Sequence, residues 1–410
     1  MDFSPTPRGS EMLDRLDRFM REQVEPRETE LLAAAAAGGE QAALSTLRNR
    51  AREAGLWNLF LNDAEWGPGL SYCEYAPLAE RMGRVSAAAE VFNCQAPDSG
   101  NIEVLAAHGS ALHKENWLKP LLAGDIRSAF AMTEPGVASS DATNIAATIA
   151  VDGDEIVLDG RKWWTTGIAH PQCRLLLFLG LSDPGGPHHR RHSIALVPYP
   201  HPGVRVIRLL QTMGYEDAAQ GHGEVQFDQV RLPRSALLGA PGEGFAIAQS
   251  RLGPGRIHHC MRLIGVAERA LELACKRALE RRAFGRPLAE LGGNRQRLGW
   301  ARCAIDQARL LVLHTAWRLD REGPRGARND VSAIKAAVPK MAQDVIDLAI
   351  QIHGGAGLAE DYPLAAFWTQ ARALRIADGP DEVHLELLGR RELKKQAADP
   401  TPATPHPDRQ

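Results

Sequence analysis

The spacing of apolar positions changes twice along the chain. Up to about residue 125, Leu, Ala and Met recur every three or four residues among Glu and Arg, as in Glu11–Glu22, Gln41–Ala54 and Tyr75–Val91. That period puts the apolar side chains on one face of a helix, so the region reads as mostly helical. Gly38-Gly39, Gly67-Pro68-Gly69 and Pro97 punctuate it. Between about 126 and 240 the period shortens. Asn144–Val151 and Glu155–Asp159 flank Asp152-Gly153, a turn pair that favours a hairpin. Arg174–Leu181, Ser193–Val197, Val204–Leu209 and Gly223–Phe227 continue as short strands between Gly- and Pro-rich turns, a rhythm that suggests a small barrel or sandwich. From about 241 the helical period returns in Phe245–Ala283, Arg295–Arg321, Val331–His353 and Asp381–Lys395, which argues for an antiparallel bundle.

The pattern divides the chain into a helical part (1–127), a β part (128–240), a helical part (241–396) and a polar, Pro-rich tail from 397 that is expected to be disordered. The fold class is α+β, mainly α. A length of 410 residues agrees with more than one domain. A formal net charge of -2 points to neither nucleic acid nor an anionic membrane. The six cysteines are scattered without metal-ligand spacing and read as free thiols of a reducing compartment. His188, His189 and His192 lie in a loop at Asp183–His192 but lack a carboxylate or thiol partner at fixed spacing, so no metal site is expected. The N-terminal segment has no apolar core of a signal peptide, and no apolar run is long enough for a transmembrane segment. The expected location is cytoplasmic.

Four segments carry candidate chemistry. Phe130-Ala-Met-Thr-Glu-Pro-Gly-Val-Ala-Ser-Ser-Asp141 is a tight turn whose backbone N–H groups can hold ring oxygens or a pyrophosphate; it also suits an ordinary Pro-Gly turn. In Lys162-Trp-Trp-Thr-Thr-Gly167, strand alternation sends the two adjacent indoles to opposite faces, one to a core and one to a flat ligand. On that segment alone Trp164 reads as core. Arg281-Arg-Ala-Phe-Gly-Arg286 ends a long helix, where its cations could meet a phosphate or complement the helix dipole. Gln351-Ile-His-Gly-Gly-Ala-Gly357 ends another, with glycines that allow either a phosphate or a plain C-cap.

Together, in this order and spacing, these segments resemble the acyl-CoA dehydrogenase family from about residue 10 to 395. Glu90–Gly100, Gly253–His259 and Ala377–His384 look like the branch typified by mammalian members ten and eleven. The resemblance implies an N-terminal helical domain, a middle small β-barrel, a C-terminal four-helix bundle and an extended FAD shared between subunits. By motif, Phe130, Met132, Thr133, Trp164 and Thr166 would face the isoalloxazine, with Ser139 near the flavin and the substrate phosphates. Arg281, Phe284, Gln351, Gly354 and Gly355 would reach the adenosine and pyrophosphate of the partner chain's FAD, which implies a homodimer or homotetramer.

The reaction implied is α,β-dehydrogenation of an acyl-CoA, with electrons passed to an electron-transfer flavoprotein near Trp164. The carboxylate matching the family's base is Asp378, in Arg375–Pro380. Its own N–H would polarise the thioester carbonyl, with Arg256 and Gly379 beside the substrate. Asp-Gly-Pro-Asp is also an ordinary turn and helix-cap sequence. Asp is one methylene shorter than the usual Glu, a feature shared with nitroalkane oxidase. The alternative reading is therefore a flavin oxidase of a non-CoA substrate. A third is a flavin-poor acyl-CoA-binding protein, because Gly292, Pro380 and Glu382 stand where the family pattern has other residues. Gly255 occupies an alternative base position used by some relatives, leaving Asp378 without a competitor. The branch resemblance points to long or 4-hydroxylated acyl chains, and the small Ala377 permits a branched one.

Overall fold

A computed structural model describes residues 2–31, 42–215 and 221–398; the expected disordered tail lies outside the described residues from 399 onward. Helix α1 (Pro7–Phe19) begins at Thr6, whose side chain accepts from the Gly9 N–H, with Pro7 at the first helical position. After α2 (Ala42–Glu53), α3 (Tyr72–Gly83) starts from a capping box formed by Ser71 and Glu74. The single helix expected over Tyr75–Val91 is two. At the end of α3 the N–H groups of Arg84 and Val85 turn back to Arg81 and Met82, three residues earlier, and a separate turn follows at Ala88–Val91. Helix α4 (Asp98–His108) has no counterpart in the sequence reading. Its residues from Asp98 to Ile102, and Val104 to Ala106, are buried, so it lacks the polar face that makes a helix legible.

Eight strands follow: β1 (Arg127–Ala131), β2 (Thr148–Asp152), β3 (Glu155–Thr166), β4 (Cys173–Leu181), β5 (His192–Pro198), β6 (Val204–Leu210), β7 (His222–Pro233) and β8 (Leu237–Leu238). They form one sheet in the order β6-β7-β3-β2-β4-β5-β8, with β1 pairing in parallel with β4. Ile149, Leu158, Leu176, Phe178, Val225 and Phe227 belong to its separate core. Strand β3 runs well past the expected Asp159, and its pairing with β7 shifts register between Lys162 and Thr165. At that bulge Trp164 takes a φ of 49°. Both tryptophans border the same cleft.

The chain returns to helix in α5 (Gly244–Glu280), α6 (Asn294–Gly326), α7 (Arg328–His353), α8 (Leu364–Ala373) and α9 (Asp381–Ala398). Helix α8, too short to show a clear period, was not expected. A second core is continuous from α1 and α3 through α5, α6 and α7, so the N-terminal helices and the bundle share an interior. Two glycines set the approach of α3 to α5. A Cβ on Gly83 would lie 2.0 Å from the Arg262 carbonyl oxygen, and one on Gly265 would lie 1.9 Å from that of Glu80. Neither position has room for any side chain.

A buried polar chain joins the three parts. Arg127 pairs with Glu90 and, at 3.1 Å, with Asp98. Asp98 accepts from the Ser128 N–H (2.7 Å) and hydroxyl (2.6 Å). Asn101 donates to Ser128 Oγ at 2.8 Å and accepts from Arg251 Nε at 2.8 Å. Arg251 in turn lies 4.1 Å from the centroid of the Phe130 ring, on the wall of the cleft.

Candidate active site

The cleft lies where the sheet, α4 and the bundle meet, and its volume is about 2900 Å³. That is several times the roughly 300–1,000 Å³ of an ordinary small-ligand pocket, which leaves room for a cofactor and a substrate together.

On the sheet side, the segment after β1 is pinned from below. Glu134 is buried, and its carboxylate accepts from the N–H groups of Ala146 (3.0 Å) and Ala147 (2.9 Å) and from Lys162 Nζ (2.7 Å). Lys162, with no exposed surface, also donates to the carbonyls of Met132 (3.0 Å) and Leu179 (2.7 Å). Burial pushes Lys162 down to about 8 against the opposing pull of Glu134. Ser139 closes the turn from within: its hydroxyl accepts from the Glu134 N–H at 2.9 Å. The Trp163 N–H donates to Thr133 O at 2.9 Å, tying the turn to β3. Phe130, Met132, Thr133, Ser139, Trp164 and Thr166 all border the cleft. Trp164 is 40% exposed, so it is wall and not core. Thr166 Oγ1 is 2.9 Å from His222 Nδ1.

This wall suits a flavin. It offers a flat indole face at Trp164 and hydroxyls at Thr133 and Thr166. The buried Trp163 indole N–H has no partner among the described residues, as a donor reserved for a ligand would.

On the bundle side, Asp378 sits between α8 and α9 with a φ of 57°, followed by Gly379 at 103°. Its side chain is 20% exposed, and Oδ2 lies 3.6 Å from His259 Nε2. A Cβ on Gly255 would lie 3.6 Å from the same oxygen, so the bare helix position leaves space over the carboxylate. Arg256 Nε donates to the Asp378 carbonyl at 2.8 Å. Burial raises the Asp378 carboxyl, but His259, Arg251, Arg256 and Lys335 outweigh it and hold the group below the usual carboxylate range. His259 is itself pushed down to about 4 by burial and by Arg262. It is therefore uncharged at neutral pH, and the positive charge around Asp378 comes from the two arginines and Lys335. Arg262 donates to His259 Nδ1 at 3.1 Å, which leaves the neutral ring's proton on Nε2, facing Asp378.

Asp378, Gly379 and Arg256 thus share one cleft with the six residues of the sheet wall. Arg281, Phe284, Gln351, Gly354 and Gly355 do not border it and are exposed. Phe284 is 95% exposed, with a φ of 49°. The sequence reading missed Glu134, Arg251, His259, Lys335 and His384. Glu134, His259 and His384 lie inside quoted segments, as Lys162 does, but were given no role there; Arg251 and Lys335 lie in none, and their places follow from helices distant in sequence. Among the described residues no group of three His, Cys, Asp or Glu side chains is placed to hold a metal, and His189 stacks on Phe245 at 4.8 Å. Among the same residues no helix is long and apolar enough to cross a membrane.

A helical part, a sheet and a bundle around one large cleft define the acyl-CoA dehydrogenase fold. The N-terminal, middle and C-terminal domain models of acyl-CoA dehydrogenase match residues 6–125, 129–230 and 242–393. Mouse acyl-CoA dehydrogenase family member 10 is 49% identical over 98% of this chain, which spans only 38% of that protein's length. FadE2 of Mycobacterium tuberculosis is 48% identical over 97% of this chain and 98% of its own. A solved structure described as an acyl-CoA dehydrogenase from Mycobacterium abscessus is 57% identical with a TM-score of 0.93, covering 96% of this chain and 100% of that one. The chain belongs to the acyl-CoA dehydrogenase family, FAD-dependent oxidoreductases acting on CH–CH groups.

Proposed function

We propose that the chain converts an acyl-CoA to the 2-enoyl-CoA, with Asp378 as the base that removes the α-proton. The observation that carries the proposal is the Asp378 carboxylate itself: it faces the cleft opposite the flavin-type wall, and neighbouring cations keep it ionised. Bound FAD supplies the acceptor for the hydride leaving the β-carbon.

The chain's own contribution is orientation, proton transfer and exclusion of water. The turn from Phe130 to Ser139 and the bulge at Trp164 would hold the ring system, fixed by the Glu134–Lys162 pair beneath them. Arg256 accounts for the Asp378 carbonyl, so the Asp378 side chain and its N–H stay directed at the substrate. Gly255 leaves the space that a shorter base requires, because the α-carbon must come closer by roughly a bond length. Arg281, Phe284, Gln351, Gly354 and Gly355 would complete the FAD site of a second subunit in a homodimer or homotetramer. Electrons would leave to an electron-transfer flavoprotein by way of the exposed edge at Trp164.

The test is the anaerobic visible spectrum of the purified protein before and after addition of mixed acyl-CoAs. The expected result is a flavin spectrum that bleaches, and one that stays yellow in Asp378→Asn under the same addition. Full bleaching in Asp378→Asn would remove Asp378 from the role of base. Rapid peroxide release with a non-CoA substrate would instead favour an oxidase.

A further inference from the structure

The segment from Leu374 to Gly379 carries Asp378 in a backbone conformation that an L-residue adopts at a cost of roughly 1–2 kcal/mol. Such a segment holds its shape only when it is tied down. Its ties come from three helices. From α5, Arg256 holds the Asp378 carbonyl. From α9, His384 Nε2 approaches the same carbonyl at 3.4 Å, while its Nδ1 meets Ser332 Oγ of α7 at 3.2 Å. The third tie is Lys335 of α7, which has no exposed surface. Its Nζ donates to Leu374 O at 2.5 Å and to Gly379 O at 3.1 Å. One ammonium therefore grips both ends of the segment that bears the base.

Lys335 does not border the cleft, so it has no access to substrate. The groups facing it are Arg256 and Cys260 from α5, Asp378 from the segment itself, and Asp381 from α9. His384 of α9 stands beside them, pushed down to about 4 by burial and by Arg256 and so uncharged at neutral pH. A buried ammonium is costly unless its charge is answered, and here two carbonyl dipoles and the nearby carboxylates answer it.

We propose that Lys335 is the positioning residue of the base: it fixes the Leu374–Gly379 segment at both ends and sets a buried positive charge beside it. The proposal rests on the reading of Asp378 as the base. Lys335 is the last of the four groups, after His259, Arg251 and Arg256, that together outweigh the burial of Asp378, so removing its charge lets the Asp378 carboxyl titrate at higher pH. Removing the donors frees both ends of the segment.

The two parts are separated by Lys335→Gln, which keeps donors without charge, and Lys335→Met, which keeps neither; Lys335→Arg is the conservative control. Each is studied as full-length, FAD-loaded protein. The readouts are flavin content, KM and kcat for an acyl-CoA, and the pH profile of α-hydrogen exchange between acyl-CoA and heavy water. Lys335→Met is expected to keep its flavin and KM while kcat falls by about 10- to 100-fold. In both neutral variants the acid limb of the exchange profile moves to higher pH. Lys335→Arg should return the limb towards its original position and recover part of kcat. An unmoved acid limb in Lys335→Gln overturns the electrostatic part, and wild-type kcat in Lys335→Met overturns the positioning part. If Lys335→Met does not fold, Lys335→Gln and Lys335→Arg still decide the matter. Failure of the wild-type protein to exchange the α-hydrogen of any acyl-CoA would instead overturn the reading of Asp378 as the base.

Discussion

Replacing Lys162 with Met removes the charge and three donors of a side chain with no exposed surface, at nearly constant length. What remains is a buried Glu134 carboxylate, now held only by the N–H groups of Ala146 and Ala147. Breaking a buried ion pair by deleting one partner costs about 3–5 kcal/mol, because the other charge is left unanswered. The loss of donors to Met132 O and Leu179 O adds to this. Against a total stability of roughly 5–15 kcal/mol, such a change is severe. It should also be local in origin, since Glu134 anchors the turn whose residues face the cleft. Equilibrium urea unfolding of the flavin-free protein, together with flavin content per chain, measures both effects. Lys162→Met should lose stability in that range and retain little flavin. Adding Glu134→Gln should recover part of the loss by removing the unanswered charge. There is also a pH signature. The folded lysine titrates at about 8, whereas the unfolded chain keeps that proton to about 10.4. Between these values the unfolded state binds more protons, so Lys162 makes stability rise with pH, and Lys162→Met deletes that contribution. A loss below about 1 kcal/mol with normal flavin content would refute the role given to this pair.

Gly265→Val should separate the N-terminal helices from the bundle, because a side chain would collide with the Glu80 carbonyl of α3; a destabilisation of about 1–3 kcal/mol or more by thermal unfolding is expected. Arg281→Ala should weaken flavin retention on gel filtration while leaving the far-ultraviolet dichroism unchanged, and unaltered retention would count against the partner-chain contact. In an Asp378→Ala background, Gly255→Asp should restore part of the substrate-dependent bleaching, since its Cβ would start 3.6 Å from where Asp378 Oδ2 stood; no recovery would mean that the carboxylate's direction matters more than its place.

The broad order of helices, strands and helices was legible because each element that faces water on one side carries a period. Where that condition fails, so does the reading. Helix α4 is buried on nearly all sides and left no pattern, although it supplies Asp98 and Asn101 to the polar chain that leads to the cleft. The bulge at Trp164 is another case: the motif alone read as core, whereas the shift in pairing with β7 falls at a residue 40% exposed on the cleft wall. The candidate base was readable from a local motif. Of the cations that tune it, Arg256 was placed beside the substrate, but Arg251 and Lys335 were not, because they reach Asp378 from two helices that sequence spacing alone cannot place in contact.

The exposed turn after α5 has a consequence for how the protein would behave at different concentrations. Phe284 stands almost wholly in water on a single chain, beside Arg281 and away from the cleft. In the proposed assembly that ring is covered only when a neighbour arrives, and the neighbour's cofactor is gripped only then. Subunit association and flavin uptake become one linked equilibrium. Dilution would bleed flavin from the enzyme, and surplus flavin would draw chains together. The amount of working enzyme would then rise more steeply than the amount of chain, so a cell making little of this protein would hold proportionally less of it in usable form.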